Sequence, residues 1–300
     1  MTPPTVPGLI IGGASKSGTT ALYYSLRQHP ELCLSPKKEL HYFSRRALAR
    51  SSAGPGDRFV LAEIPPSFEK YLAHFGRCGR RRVAVDISPS YLFHHEAAGE
   101  MRRLLPDAHI LFILRNPADK AFAQYLHLVG AGRETLRFED ALAIEQQRAD
   151  RGFSDIWLYR SSGFYADALE RYARAFGPGR LAVFYHEEFR SNPGAVLREI
   201  CTFAAVDPGF RFVPVADVNR SGSARSALVA TLVGPSALTY LLRRVVPQPL
   251  GRAVRRVVRD WNTGPKPALD ERTRMSLLDG YRDDIRRVEA FVGRTSGWGL

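Results

Sequence analysis

Residues 8–20, Gly-Leu-Ile-Ile-Gly-Gly-Ala-Ser-Lys-Ser-Gly-Thr-Thr, constrain this chain more than any other stretch. Leu9, Ile10 and Ile11 make the short apolar run of a buried strand, and Gly12, Gly13 and Gly18 open backbone angles that other residues resist. Thr19 or Thr20 is then placed to cap a helix. Strand, glycine-rich loop and helix start, in that order, read as a phosphate cradle, with inward amides and a helix dipole behind them. Lys16 adds a positive charge beside those donors. A plain Gly/Ser/Thr turn accounts for the glycines, but not for the strand, lysine and paired threonines together. In a nucleotide triphosphatase loop the lysine directly follows the second glycine, whereas Lys16 precedes Gly18 by two places. The expected ligand is phosphate-like without being ATP with magnesium.

The rest of the chain alternates strand with helix. Val83–Asp86, His109–Leu114 and Leu181–Tyr185 read as further strands. Helical patterns fall after the loop to about residue 29, at 67–75, through Met101 and Leu105, and at 118–129, 138–148, 163–176, 193–204 and 269–292. This predicts an α/β fold with a P-loop-like central parallel sheet, helices on both faces, and ligands at the strand ends. We expect one domain over 1–300, with a core of about 8–210 and a helical C-terminal part, 219–300, bordering the sites. Residues 45–66 hold three prolines and no period, which predicts an exposed loop or lid.

Three hundred residues with 45% hydrophobic content bury a substantial core, so disorder is excluded as the default. The net charge of +13 points to an anionic partner. Only six of the 43 basic residues are lysines, so part of that charge reflects arginine usage rather than a designed surface. Cys33, Cys78 and Cys201 are odd in number, far apart and without a Cys-x-x-Cys pair. That argues against a disulfide framework or zinc site and for a reducing, cytoplasmic compartment. Leu9–Ile11 is too short for a secretory signal, and 227–242, broken by Gly234 and Pro235, is too short and polar to span a membrane.

Five motifs carry a resemblance that covers residues 8–298. Lys16-Ser-Gly-Thr-Thr20 after a strand, Lys38-Glu-Leu-His-Tyr-Phe43, Ser88-Pro-Ser-Tyr91, Leu114-Arg-Asn-Pro117 and Trp298 resemble, in order and spacing, the sulfotransferases that use 3'-phosphoadenosine 5'-phosphosulfate, above all the heparan-sulfate and related carbohydrate enzymes and their bacterial relatives. The resemblance implies that Lys16, Ser17, Gly18, Thr19 and Thr20 hold the 5'-phosphosulfate, with Lys16 near the bridging oxygen. It makes Glu39 the general base toward an acceptor hydroxyl, His41 a secondary active-site group, and Arg115 the ligand of the 3'-phosphate. Arg220 and Arg225 match a late loop over that phosphate. Ser88, Ser90 and Tyr91 fall beside the transferred group. The donor is a cosubstrate released as adenosine 3',5'-bisphosphate, and no metal is required. Two positions depart from the pattern: Ala123 replaces a serine ligand of the 3'-phosphate, and Ile87 replaces an active-site lysine, so the acceptor need not be strongly anionic.

Each motif also has a plainer reading. Glu39 would serve as a surface partner of Lys37 or Lys38, His41 as a packed imidazole, Arg115 as a salt-bridging residue, and Arg220 and Arg225 as solvated charges in a Gly/Ser loop. Two whole-chain alternatives compete with the resemblance. One is a divergent P-loop kinase with Asp86 as its magnesium carboxylate. The other is a basic surface-binding protein using the acid-free stretch 219–259 against nucleic acid or acidic lipid. Nucleic acid is not expected, since no aromatic residues interleave with those arginines. For the leading reading the expected partners are a nucleotide sulfate donor, a hydroxyl-bearing carbohydrate, glycolipid or small natural product, and peripheral contact with the inner membrane face through 227–259.

Overall fold

The computed structural model describes residues 5–79, 82–215 and 267–299. Five parallel strands, β1 Pro7–Gly13, β2 Leu32–Leu34, β3 Val83–Ile87, β4 His109–Leu114 and β5 Leu181–Tyr185, form one sheet in the order β2-β3-β1-β4-β5. The helices, in chain order, are α1 Thr19–Leu26, α2 Arg45–Arg50, α3 Asp57–Ala62, α4 Phe68–Leu72, α5 His95–Leu104, α6 Pro117–Gly130, α7 Phe138–Ala143, α8 Glu145–Asp150, α9 Ala166–Phe176, α10 His186–Ser191, α11 Pro193–Phe203 and α12 Glu271–Val292.

The central strands are apolar along most of their length, Asp86 of β3 and His109 of β4 apart, because helices cover both faces of the sheet. Successive residues of β1 supply the two cores: Leu9 and Ile11 pack with Leu22 and Leu26 of α1 and Val196 and Ile200 of α11. Ile10 faces the opposite core, which includes Met101 of α5, Ala121 of α6, Leu169 of α9 and Tyr281 of α12. The last helix is fastened by more than apolar contact. Asp284 of α12 accepts hydrogen bonds from the Tyr165 and Ala166 amides at 2.8 and 3.1 Å, capping the start of α9 from outside. Trp298, only 2% exposed, donates from Nε1 to Glu187 at 3.0 Å, while its carbonyl accepts from Asn116 Nδ2 at 3.1 Å.

The predicted sheet and its two helical faces are present, with four corrections in detail. Leu32–Leu34 forms an edge strand, a run of three residues too short to show a period. The 138–148 pattern is two helices broken at Ile144, whose backbone leaves the helical region (φ −98°, ψ 9°). Residues 45–66, expected as an exposed loop, contain α2 and α3. Asp57 there is buried, ion-paired with Arg133, and accepts from the Ser154 amide at 3.0 Å and Trp157 Nε1 at 3.1 Å. Most plainly, the expectation of no disulfide is wrong: Cys33 of β2 and Cys78 are bonded, their Cα atoms 5.6 Å apart across 45 residues. The spacing hid this pair because β2 is followed by a long excursion that returns beside it before β3. With that bond the cysteine argument for a reducing compartment falls. Cys201 is free and buried. No helix among the described residues is long and apolar enough to cross a membrane.

Candidate active site

All five strand ends deliver residues to one edge of the sheet, the edge where ligands bind in open parallel α/β folds. From β1 comes the Lys16–Thr20 loop. Lys16 sits in the left-handed region (φ 62°), and Gly18 (φ 88°) ends the loop as N-cap of α1. This corrects the capping role expected of Thr19 or Thr20: both lie inside α1, Thr19 buried and Thr20 half-buried, and no side chain caps the helix. The first amides of α1 are thus left for an external acceptor, and its first turn holds no acidic residue. Two groups from other strands brace the loop by its carbonyls. Arg115, after β4, donates from an Nη to Lys16 O at 2.9 Å, and His186, after β5, donates from Nδ1 to Ser17 O at 3.1 Å. Desolvation and the nearby Arg115 charge lower the His186 pKa. Ser17 is fully buried, its hydroxyl turned to Ser15 O at 3.4 Å. These features fit a nucleotide phosphate held by backbone amides.

Glu39 lies on the loop after β2, tied to β3 by its amide, which donates to Ile87 O at 3.1 Å. Glu39 and His41 both take left-handed backbone angles (φ 63° and 54°), each a conformation costing about 1–3 kcal/mol outside glycine. Packing from β3 holds that strain in place. The His41 amide donates to Ser88 Oγ at 3.1 Å, and Ser88 in turn donates to Asp86 at 2.8 Å. His41 Nδ1 and Ser90 Oγ share a hydrogen bond at 2.7 Å, with Nε2 facing Glu39 Oε2 at 3.7 Å. Lys38 pairs with the other Glu39 oxygen. Burial opposes the Glu39 charge, but the His41 contact and the Lys38 ammonium outweigh it and hold the carboxyl well below the usual carboxylate range.

Ser88, Ser90 and Tyr91 therefore act behind the loop rather than in the open. Ser88 and Tyr91, with Tyr71, donate to the buried Asp86 carboxylate at 2.8, 2.8 and 3.0 Å. Burial raises the Asp86 pKa against those hydrogen bonds. Three hydrogen bonds from buried hydroxyls give Asp86 a structural role, which weakens a kinase reading that needs it as a magnesium ligand. Among the described residues no cluster of histidine, cysteine and carboxylate side chains is arranged to hold a metal ion.

One residue at the site was not singled out in the sequence. His127, in the last turn of α6, is solvent-exposed on one side, yet desolvation and the Lys16 charge push its pKa down to about 4, against an opposing pull from Glu39. The Lys16 and Glu39 charges that act on His127 put it near both groups, and the Glu39 side chain keeps 40% of its accessible area. The helix around His127 was legible, but which side of it meets the cleft was not. Ala123, one turn earlier, is buried and supplies no hydroxyl. Arg220, Arg225 and the segment 227–259 lie outside the described residues.

The fold and site define an α/β protein of the P-loop-like kind, with a glycine-containing loop after its first strand and a carboxylate-bearing loop at the same sheet edge. Comparison places it more closely: the chain belongs to the sulfotransferase family, whose sequence model matches residues 7–208. A crystal structure of a sulfotransferase from Alicyclobacillus acidocaldarius is 30% identical, covers 99% of this chain and all of that one, and superposes with a TM-score of 0.79. The human bifunctional heparan sulfate N-deacetylase/N-sulfotransferase 3 is 27% identical over 218 residues, 69% of this chain but 23% of its own length. Heparan sulfate glucosamine 3-O-sulfotransferase 3B1 of mouse is 26% identical over 203 residues, 66% of this chain and 46% of its own. The chain thus spans less than half of either curated relative.

Proposed function

We propose that the protein transfers a sulfuryl group from 3'-phosphoadenosine 5'-phosphosulfate to an acceptor hydroxyl by in-line displacement. The observation that carries this reading is the placement of an ionised carboxylate, Glu39, on a strained and braced loop at the same sheet edge as the Lys16–Thr20 cradle.

In the reaction, Glu39 takes the proton of the acceptor hydroxyl as that oxygen forms its bond to sulfur. The bond from sulfur to the bridging oxygen of the 5'-phosphate breaks, and the amides at the start of α1 and the Lys16 ammonium stabilise the charge gathering there. Arg115 serves the 3'-phosphate with the donors it does not spend on Lys16 O. His41, held by Ser90, keeps Glu39 oriented. Neutral His127, which feels the charges of Lys16 and Glu39, would donate to or accept from the acceptor. Carbohydrate acceptors are favoured by the named substrates of the heparan-sulfate relatives.

The test is release of adenosine 3',5'-bisphosphate from the donor when the purified protein is offered sugar, lipid-linked and small-molecule alcohols and amines. Release that depends on an acceptor, with a sulfated product of matching mass, is the expected result. No release with any acceptor, together with no nucleotide binding, would overturn the reading.

A further inference from the structure

We propose that Lys38 is a catalytic residue whose ammonium bridges the Glu39 carboxylate and the sulfuryl group of the bound donor. The inference rests on the sulfuryl-transfer reading and adds to it the group that meets the sulfur-bound oxygens. Lys37 and Lys38 follow β2 in succession, and the fold turns them apart. Lys37 donates to the Glu63 carbonyl just after α3 and lies 3.6 Å from a carboxylate oxygen of the same residue. Lys38 donates to Glu39 Oε1 instead, with only 20% of its side chain accessible against 40% for Glu39.

The position of the base fixes the position of this ammonium. To take the proton, Glu39 must come within about 2.6–3.2 Å of the acceptor oxygen, and that oxygen attacks sulfur in line. A cation bonded to the same carboxylate is therefore a neighbour of the sulfuryl oxygens. An ammonium carries three donors, and the Glu39 contact uses one, so Lys38 can keep that bond and still donate to the sulfuryl group. The other neighbours of the base do not compete for this role. His41 faces Ser90 with one ring nitrogen and Glu39 with the other, and buried Ile87 at the end of β3 brings no charge. Lys16, Glu39, Arg133 and Lys38 all act on the His127 imidazole, which sets cradle, base and this ammonium within electrostatic range of one ring.

The contact strengthens as the reaction proceeds. When the acceptor oxygen bonds to sulfur, its proton passes to Glu39, and the bond from sulfur to the bridging oxygen breaks with its electron pair left on the 5'-phosphate. Glu39 thereby loses the charge that held Lys38, while the ammonium keeps all its protons. Its attraction then falls on the sulfuryl oxygens while that group is in flight, which favours the transition state over the ground state.

The experiment is isothermal titration of the full chain, without acceptor, by 3'-phosphoadenosine 5'-phosphosulfate and by adenosine 3',5'-bisphosphate, which lacks the sulfuryl group. Lys38→Met, which keeps the stem and removes the charge, should weaken donor binding about tenfold and leave bisphosphate binding unchanged. Lys38→Arg should retain most of the donor affinity, and Lys37→Met should leave both ligands unaffected. Because loss of Lys38 also exposes the sulfuryl group to the bare Glu39 charge, the comparison is repeated in the Glu39→Gln protein, where Lys38→Met should still weaken the donor selectively. Unchanged donor affinity in Lys38→Met, equal loss for both ligands, or a loss that vanishes in the Glu39→Gln background overturns the proposal. Bisphosphate binding with donor affinity indifferent to Lys38 sinks this inference alone, whereas no binding of either nucleotide sinks the donor reading.

Discussion

At the scale of the residue, Glu39 meets two demands that pull against each other. It is kept ionised by Lys38 and His41, which suits a base, yet the same partners lower its affinity for the proton it must take. An acceptor hydroxyl must therefore compete with Lys38 for the carboxylate, and desolvation by the bound acceptor works in its favour. Glu39→Gln is expected to lower the single-turnover rate by about 10²–10⁴-fold while leaving nucleotide affinity unchanged. Undiminished turnover would remove Glu39 from the mechanism. The sign of the pH dependence follows from the lowered pKa: the base form persists until pH falls through that value. The acid limb of kcat/KM due to Glu39 should thus lie below about 4.3, the ordinary glutamate value, and Lys38→Ala should move it upward. The strand-end positions of Lys16 and Arg115 were legible because each follows a readable strand, whereas Glu39 was singled out by its motif alone. His127 was not, since a helix pattern does not tell which face meets a cleft formed by distant loops.

At the scale of the element, the phosphate loop depends on a glycine at its last position. Gly18 has φ 88°, and a Cβ there would lie 2.8 Å from His186 Nδ1, the atom that braces Ser17 O. Gly18→Ala should cost about 1–3 kcal/mol in stability and weaken nucleotide binding more than a surface substitution does. Calorimetry of the variant checks both, and unchanged affinity would contradict the bracing role. The edge strand β2 makes a second case. Its three residues could not be read as a strand, yet they launch the Glu39 loop and are fixed by the Cys33–Cys78 bond across 45 residues. On loop-closure grounds that bond is worth at most about 4 kcal/mol. The double variant Cys33→Ala, Cys78→Ala should lower denaturant stability by a substantial part of that amount. Equal midpoints in the two proteins would show that packing alone holds β2. The pairing itself was illegible because a sequence separation does not reveal a return path through α2, α3 and α4.

At the scale of the whole molecule, five strand ends converge, and each contributes one part: cradle, base loop, support turn, arginine and histidine brace. The order β2-β3-β1-β4-β5 puts the cradle at the centre, with the base side on β2 and β3 and the phosphate-bracing side on β4 and β5. Trp298, beyond the C-terminal helix, closes the β4–β5 side by hydrogen bonds with Asn116 and Glu187. That long-range closure explains why the tryptophan belongs to the motif set despite lying 182 residues beyond Asn116. The alternation of strand and helix made the sheet readable, but the closure depends on contacts that no local pattern encodes. In the proposed function this sheet edge holds a nucleotide with phosphates at both its 5' and 3' positions. Isothermal titration of adenosine 3',5'-bisphosphate tests it most directly, with adenosine 5'-monophosphate as the comparison. One site, tighter binding of the bisphosphate, loss of affinity in Lys16→Ala and Arg115→Ala, and retention in Glu39→Gln are expected. No binding, or binding indifferent to both Lys16 and Arg115, would contradict it.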